Sequence, residues 1–182
     1  MRRRFAIVLA CLAAPLALGV TAVTAGAGNQ PYCAIVWGSQ LKSAPDLAPT
    51  PIGGVRVGQH TCFDRLVIDV SGTGPAPGYI VRYTNGVVTP GEGAPLTVAG
   101  GATISIQALA PSYDDAGRPT VPWRWGAHVA EATTFRTFRD LVFAGSFEGE
   151  STFGLGVRAR LPFRVLTLEN PTRLVVDVAH KW

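Results

Sequence analysis

The residues best suited to recognising a sugar lie close together in the middle of the chain. Trp123-Arg124-Trp125 places two indoles two positions apart, and Tyr113 lies upstream. In an extended stretch alternate side chains point the same way, so both indoles would share one face. Aromatic faces stack on sugar rings, and planar donors bind hydroxyl or carboxylate groups. We therefore predict a ligand-binding set of Tyr113, Trp123 and Trp125; the alternative is that the tryptophans fill the core under a long loop.

A second candidate set consists of three arginines near the end of the chain, Arg158, Arg160 and Arg164. Arg158 and Arg160 alternate with the apolar side chains of residues 153–159, so they are expected to face solvent. Their guanidinium groups could hold peptide carboxylates or the phosphates of an anionic polymer. The alternative is a solvated strand face whose charges prevent edge-to-edge pairing.

The sequence contains no pattern that predicts catalysis. His60, His128 and His180 are scattered without metal-ligand spacing, and each is expected at the surface or at a strand end. The chain has no Gly-x-Ser-x-Gly motif and no glycine-rich phosphate loop. The pair Asp114-Asp115 is expected to form a turn rather than a calcium site. We therefore predict a protein that is not an enzyme and that needs no metal and no cofactor.

The first 27 residues have the features of a signal peptide. Arg2, Arg3 and Arg4 precede an apolar run over residues 5–20, and Ala25-Gly26-Ala27 fits the signal peptidase rule. Cleavage there would leave residues 28–182, exported to the cell envelope or beyond it. An uncleaved leader would be the only part expected to contact a membrane. Removal of the three arginines lowers the net charge from +4 to +1, which argues against a nucleic-acid partner.

Two cysteines, Cys33 and Cys62, remain after the leader. In an exported protein such a pair predicts one disulfide, with two buried free thiols as the alternative. The bond would close a loop of about 30 residues and contribute about 3 kcal/mol by restricting the unfolded chain. It would also fasten residues 28–57, which show little periodicity, to the rest of a single domain.

The remainder of the chain predicts an all-β fold. Residues 62–70 alternate apolar and polar side chains, which is typical of a strand with one buried face. Similar runs occupy residues 78–84, 103–109, 138–144, 152–160, 163–168 and 172–179. About eight short strands separated by turn residues indicate a two-sheet β-sandwich or a closed barrel. Residues 127–139 could hold one short helical turn.

One strand sequence occurs twice. Arg65-Leu66-Val67-Ile68-Asp69-Val70 returns as Arg173-Leu174-Val175-Val176-Asp177-Val178. If the two copies are antiparallel neighbours with Val67 opposite Val175, Arg65 lies opposite Asp177 and Asp69 opposite Arg173. The alternative is two unrelated strands with solvated charges.

These same residues resemble a known family. Residues 168–178, LENPTRLVVDV with Asn170 and Pro171, resemble the closing strand signature of AMIN domains. Residues 147–157, 161–165 and 58–70, together with Trp37-Gly38-Ser39, are similar to AMIN-like proteins exported by actinobacteria. The resemblance implies a β-sandwich in the cell envelope. AMIN domains accompany N-acetylmuramoyl-L-alanine amidases and pilus secretins and direct them to peptidoglycan, but this chain carries no such partner domain.

Three functions follow as hypotheses. The first is a non-catalytic envelope module that binds peptidoglycan or another cell-wall polymer. The second is a surface adaptor or inhibitor that holds a wall-remodelling enzyme. The third is a barrel that encloses a small apolar ligand. An exposed aromatic strip or arginine face favours the first, an apolar patch or free strand edge the second, and a roomy apolar interior the third.

Overall fold

The computed structural model describes residues 31–48, 50–130 and 132–182, so the predicted leader lies outside the described residues. The fold is all-β, as predicted. The 3-10 turn lies at Tyr32–Ala34, whereas the described residues of 127–139 form a two-residue strand, turns and the start of a longer strand instead of the expected helical turn. The strands are β1 Lys42–Ala44, β2 Ile52–Gln59, β3 Phe63–Val70, β4 Tyr79–Thr84, β5 Val87–Val88, β6 Pro95–Leu96, β7 Ala102–Ala108, β8 Ala127–His128, β9 Phe138–Phe147, β10 Glu150–Val157, β11 Phe163–Leu168 and β12 Arg173–Ala179. Four of the twelve have only two or three residues. Seven of the other eight match the predicted runs, and the eighth, β2, lies largely within residues 28–57, which were expected to be irregular.

The strands form two antiparallel sheets that pack as a sandwich. One sheet has the order β1-β4-β7-β10-β9-β8, and the other has the order β11-β12-β3-β2. A third, two-stranded sheet joins β5 to β6. No helix within the described ranges has the length and apolar character needed to cross a membrane.

The alternation of side chains places the core between the sheets. In β3, Leu66 and Ile68 are fully buried, whereas Arg65 and Val67 on the opposite face are half-buried. Four phenylalanines fill much of the interior: Phe138, Phe143, Phe153 and Phe163 are all fully buried. A small apolar ligand would need this space, so the filled interior argues against the third hypothesis.

The β5–β6 segment packs against the outer face of the six-stranded sheet. A Cβ atom on Gly154 of β10 would lie 2.8 Å from Val98, and one on Gly156 would collide with the Ala99 carbonyl. The two glycines therefore allow the segment to lie directly on β10.

The repeated sequences are neighbouring strands in the predicted register. β3 and β12 pair antiparallel with Val67 opposite Val175 and Arg65 opposite Asp177. Arg65 donates from Nε and Nη2 to the Asp177 carboxylate at 2.7 and 2.9 Å. The second predicted cross-strand pair, Asp69 opposite Arg173, is also in register, but each of these side chains binds another partner.

Asp69 lies opposite Arg173, but it accepts hydrogen bonds from Arg56 on β2, at 2.7 Å, instead. Arg173 donates from Nε to the carbonyl of Pro171. Asn170, with a φ of 53°, and Pro171, which follows a cis peptide bond, form the turn between β11 and β12. Residues 168–178 thus form a turn followed by β12, and of the two cross-strand charge pairs in register, Arg65 and Asp177 form an ion pair.

The predicted disulfide between Cys33 and Cys62 is present, with 6.5 Å between the two Cα atoms. It fastens a segment that contacts both sheets. Gly38 forms a β-bridge with Phe163 of the four-stranded sheet, and β1 pairs with β4 of the six-stranded sheet.

Candidate functional site

The three aromatic residues predicted to bind a ligand line one surface cavity. Tyr113, Trp123 and Trp125 surround a space of about 150 Å³ together with Ser112, Gly117, Pro119, Val121, Phe143 and Ser146. We call this cavity the aromatic cleft. The loops that form it lie beside the β9–β10 turn, where Ser146 is paired with Ser151.

The two tryptophans differ in their surroundings. Trp123 is half-buried, and its ring lies 5.7 Å from that of Phe143 and 6.2 Å from that of Phe153. It therefore extends the core to the floor of the cleft. Trp125 is 46% exposed and can offer its ring to a ligand. Trp123 thus fits the alternative in which the tryptophans fill the core, whereas the exposed Trp125 fits the prediction of a ligand-binding ring.

Gly145 on β9 determines where the Trp125 ring lies. Its φ is 142°, and a Cβ atom there would come within 2.8 Å of the indole and 3.0 Å of Pro90. The absence of a side chain lets the indole rest on the strand backbone, which fixes the ring without covering its outer surface.

Tyr113 is held by the hairpin and by its own loop. Its hydroxyl accepts a hydrogen bond from the Gly149 amide at 2.9 Å. The loop that follows is closed by Asp114, whose carboxylate accepts from the Ala116 and Arg118 amides and pairs with the Arg118 guanidinium. These hydrogen bonds lower the pKa of Asp114; the bond from the Arg118 side chain has the largest effect, and the two amides add to it. The predicted turn is therefore present, and it rigidifies one wall of the cleft.

Exposed apolar side chains continue the surface beyond the cleft. Phe147 at the tip of the β9–β10 hairpin is 48% exposed, and Leu47 is 61% exposed. The Phe147 ring lies over Gly91, and Leu47 lies over Gly149. With Trp125 they form an apolar ridge, defined here as Leu47, Phe147 and Trp125.

The three predicted arginines do not form one site. β10 ends at Val157, earlier than predicted, so Arg158 and Arg160 follow the strand rather than alternate within it. Arg158 donates to the carbonyl of His180. Arg160 lies over the ring of Tyr83, 4.6 Å from its centroid, beside a different cavity.

Arg164 belongs to a half-buried cluster on the face of the four-stranded sheet that points away from the core. It donates from Nε to the Asp177 carboxylate at 2.8 Å and lies over the rings of Trp37 and Phe63. Asp177 is fully buried and also accepts a hydrogen bond from Arg65. This bond raises the pKa of Arg65. The repeated strand sequence indicated Asp177 as the residue opposite Arg65, but nothing comparable in the sequence indicated a partner for Arg164.

A buried polar pair was missed by the sequence analysis. Asp64 is fully buried and accepts hydrogen bonds from the Thr137 and Phe138 amides at 2.5 and 3.0 Å. Its other oxygen lies 2.9 Å from Nε2 of His180, a residue that directly follows β12. His180 is only 8% exposed, so it occupies the expected strand end but is buried there. One signal was available, since Asp64 shares the apolar face of β3 with Leu66.

The other two histidines are exposed, as expected. His60 stacks on Phe63, and Nδ1 of His128 lies 2.7 Å from the Asp140 carboxylate. Across the described ranges, no three His, Cys, Asp or Glu side chains are grouped so as to hold a metal ion.

These features define a β-sandwich domain whose surface, rather than its interior, is open to a ligand. The family described as AMIN-like domain matches residues 50–180, and the chain belongs to this family. AMIN-like domains are non-catalytic binding modules related to the cell wall. No curated protein and no solved structure gives a significant match.

Proposed function

We propose that the protein is an exported, non-catalytic module that binds a glycan of the cell wall, peptidoglycan or an associated polymer, at the aromatic cleft. The observation that carries the proposal is the half-exposed Trp125 ring beside the cavity shared with Tyr113 and Trp123. Membership of the AMIN-like family supports the cell wall as the setting.

The chemistry of the cleft suits an uncharged sugar surface. A pyranose ring has apolar faces of C–H groups and an equator of hydroxyl groups. The Trp125 indole offers a flat apolar surface, and a fixed ring loses little conformational entropy when a sugar stacks on it. Ser112 and the Tyr113 hydroxyl supply polar groups at the cavity wall, whereas the Ser146 hydroxyl is engaged in holding the loop to the hairpin.

Co-sedimentation with isolated cell-wall sacculi tests this proposal. Purified residues 28–182 are mixed with sacculi before and after removal of the attached wall polymers. Pelleting that survives removal supports direct recognition of peptidoglycan. Pelleting that disappears assigns the binding to the attached polymer, and failure to pellet with either preparation contradicts the proposal.

A second candidate function is that of a surface adaptor for a wall-remodelling enzyme. The apolar ridge favours it, because three large exposed apolar side chains side by side are typical of a protein contact. β2, eight residues long, also forms an edge of its sheet with β3 as its one neighbour. A failure to bind sacculi, combined with loss of an enzyme contact in Phe147→Ser, would favour this function.

A further inference from the structure

A cavity of about 500 Å³ lies at the end of the six-stranded sheet away from the aromatic cleft. β4 ends there at Thr84, which is opposite Thr103 near the start of β7. The aromatic cleft lies beside Ser151, at the other end of β10, whereas this cavity lies beside Val157. Because a strand rises about 3.3 Å per residue, roughly 20 Å separates the two ends.

The walls of the cavity are backbone that cannot easily move. Gly101 donates to the Val157 carbonyl at 2.8 Å, and a Cβ atom on Gly100 would lie 2.7 Å from the same oxygen. The close approach holds residues 100–101 against the end of β10. A ligand would therefore meet a site that is already formed, which reduces the entropy lost on binding.

Two side chains on the opposite wall are also fixed. Tyr83 donates its hydroxyl to the Leu161 carbonyl at 2.6 Å, so its ring cannot turn away. Arg160 lies over that ring, and the Trp182 indole donates to the Arg160 carbonyl. The Trp182 bond thus holds the backbone at Arg160, and the Tyr83 ring supports the guanidinium.

Among the described residues, the Arg160 guanidinium lies over the Tyr83 ring but is not paired with a carboxylate. Within residues 31–48, 50–130 and 132–182 it makes no ion pair and no side-chain hydrogen bond, although Arg65, Arg158 and Arg164 do. The lining contains Thr84, Thr103 and Asn85, and none of the described lining residues is acidic. The cavity thus combines one uncommitted cation with hydroxyl and amide groups.

From this geometry we propose that the cavity is a second binding site, specific for a sugar unit that carries one carboxylate or phosphate. The Arg160 guanidinium binds the anionic group, and Asn85 and Thr103 bind hydroxyl groups, since the Thr84 hydroxyl already donates to the Gly86 carbonyl. The volume lies within the range of about 300–1,000 Å³ that ligand sites occupy. The site does not depend on the aromatic cleft, so either can exist without the other.

Titrations followed by amide NMR test the site with defined probes: glucuronate, glucose 6-phosphate, glucose and inorganic phosphate. Both anionic sugars should shift the amide signals of Asn85, Gly100 and Gly101, and the stronger of the two identifies the preferred anionic group. Glucose and inorganic phosphate should each bind about tenfold or more weakly than the better anionic sugar, because each lacks one half of the recognition.

Two variants make the test specific. Arg160→Gln should weaken binding of the anionic sugars by about tenfold, whereas Arg124→Gln, an exposed arginine beside the aromatic cleft, should leave it unchanged. Trp125→Ala should also leave it unchanged, which separates this site from the proposed function. Equal binding of glucose and the anionic sugars, equal binding of phosphate alone, or full binding by Arg160→Gln would overturn the proposal.

Discussion

At the scale of single residues, the consequential groups are polar side chains placed where water cannot reach. Asp64 is fully buried; one carboxylate oxygen accepts hydrogen bonds from two backbone amides, and the other lies 2.9 Å from Nε2 of His180. Asp69 has the same side chain, but it pairs with Arg56 at the surface. Because removal of a buried carboxylate leaves its donors unpaired, the same substitution should have very different costs at the two positions.

We predict that Asp64→Ala lowers the free energy of unfolding by about 3–5 kcal/mol, because three donors lose their acceptor in the interior. Asp69→Ala serves as the matched control and should cost about 1 kcal/mol or less, since an exposed ion pair contributes little. Urea denaturation followed by circular dichroism measures both. Similar losses in the two variants would contradict this account of Asp64.

Tyr83 gives a prediction for alkaline pH. Burial raises its pKa to about 12, whereas a tyrosine in the unfolded chain ionises near its ordinary value of about 10. Between these values the folded protein holds a proton that the unfolded chain has lost, so the free energy of unfolding falls as pH rises from about 10 to about 12.

Tyr83→Phe should remove this part of the decline and cost about 1 kcal/mol at neutral pH through loss of the Leu161 hydrogen bond. Denaturation curves of both proteins across that pH range supply the comparison. Parallel declines in the wild type and the variant would show that Tyr83 is not the responsible group.

At the scale of strands and turns, the sequence predicts those strands and buried faces that depend on the local alternation of apolar and polar residues. The alternation of residues 63–70 indicates β3 and its buried face, and the repeat indicates the β3–β12 register, because paired strands must match opposite charges. The pairing of Asp69 with Arg56 rather than with Arg173 could not be predicted, since it depends on which strand lies on the other side of β3.

The candidate site shows the same division. The types and spacing of Tyr113, Trp123 and Trp125 identify the cleft, but which indole faces the core depends on Phe143 and Phe153, which are distant in the sequence. The arginines were grouped incorrectly because β10 ends at Val157, a point determined by tertiary contacts. The disulfide could be predicted because only two cysteines follow the predicted leader.

Gly145 provides a test at this scale. We predict that Gly145→Ala displaces the Trp125 ring, shifts tryptophan fluorescence toward longer wavelengths and weakens binding to sacculi as much as loss of the ring itself. Gly54→Ala is the control, because a Cβ atom there meets nothing within 4 Å. Unchanged fluorescence and unchanged binding in Gly145→Ala would show that the strand backbone does not fix the indole.

At the scale of the whole molecule, the segment that begins near Cys33 ties the two sheets together. It bridges Phe163 in one sheet, adds β1 to the other, and lies outside the residues matched by the AMIN-like family. Its disulfide, its bridge to Phe163 and the β1–β4 pairing involve none of the residues that line the aromatic cleft, so this part of the segment is expected to contribute to stability rather than to ligand binding.

We therefore predict that replacing both cysteines, Cys33→Ser with Cys62→Ser, lowers the free energy of unfolding by about 3 kcal/mol through the greater freedom of the unfolded chain. Binding to sacculi at a temperature where the variant is folded should equal that of the wild type. A variant that is fully stable, or one that is folded but does not bind, would contradict this division of roles.

The central claim is that a cell-wall glycan stacks on Trp125, and the affinity of two variants for stripped sacculi tests it most directly. Val36→Ala trims an apolar side chain that is 85% exposed and lines neither proposed site, so it controls for general loss of exposed apolar surface. We expect Trp125→Ala to bind about thirtyfold more weakly, as for a central contact worth about 2 kcal/mol, and Val36→Ala to bind like the wild type. Equal affinities for Trp125→Ala and the wild type would contradict the account.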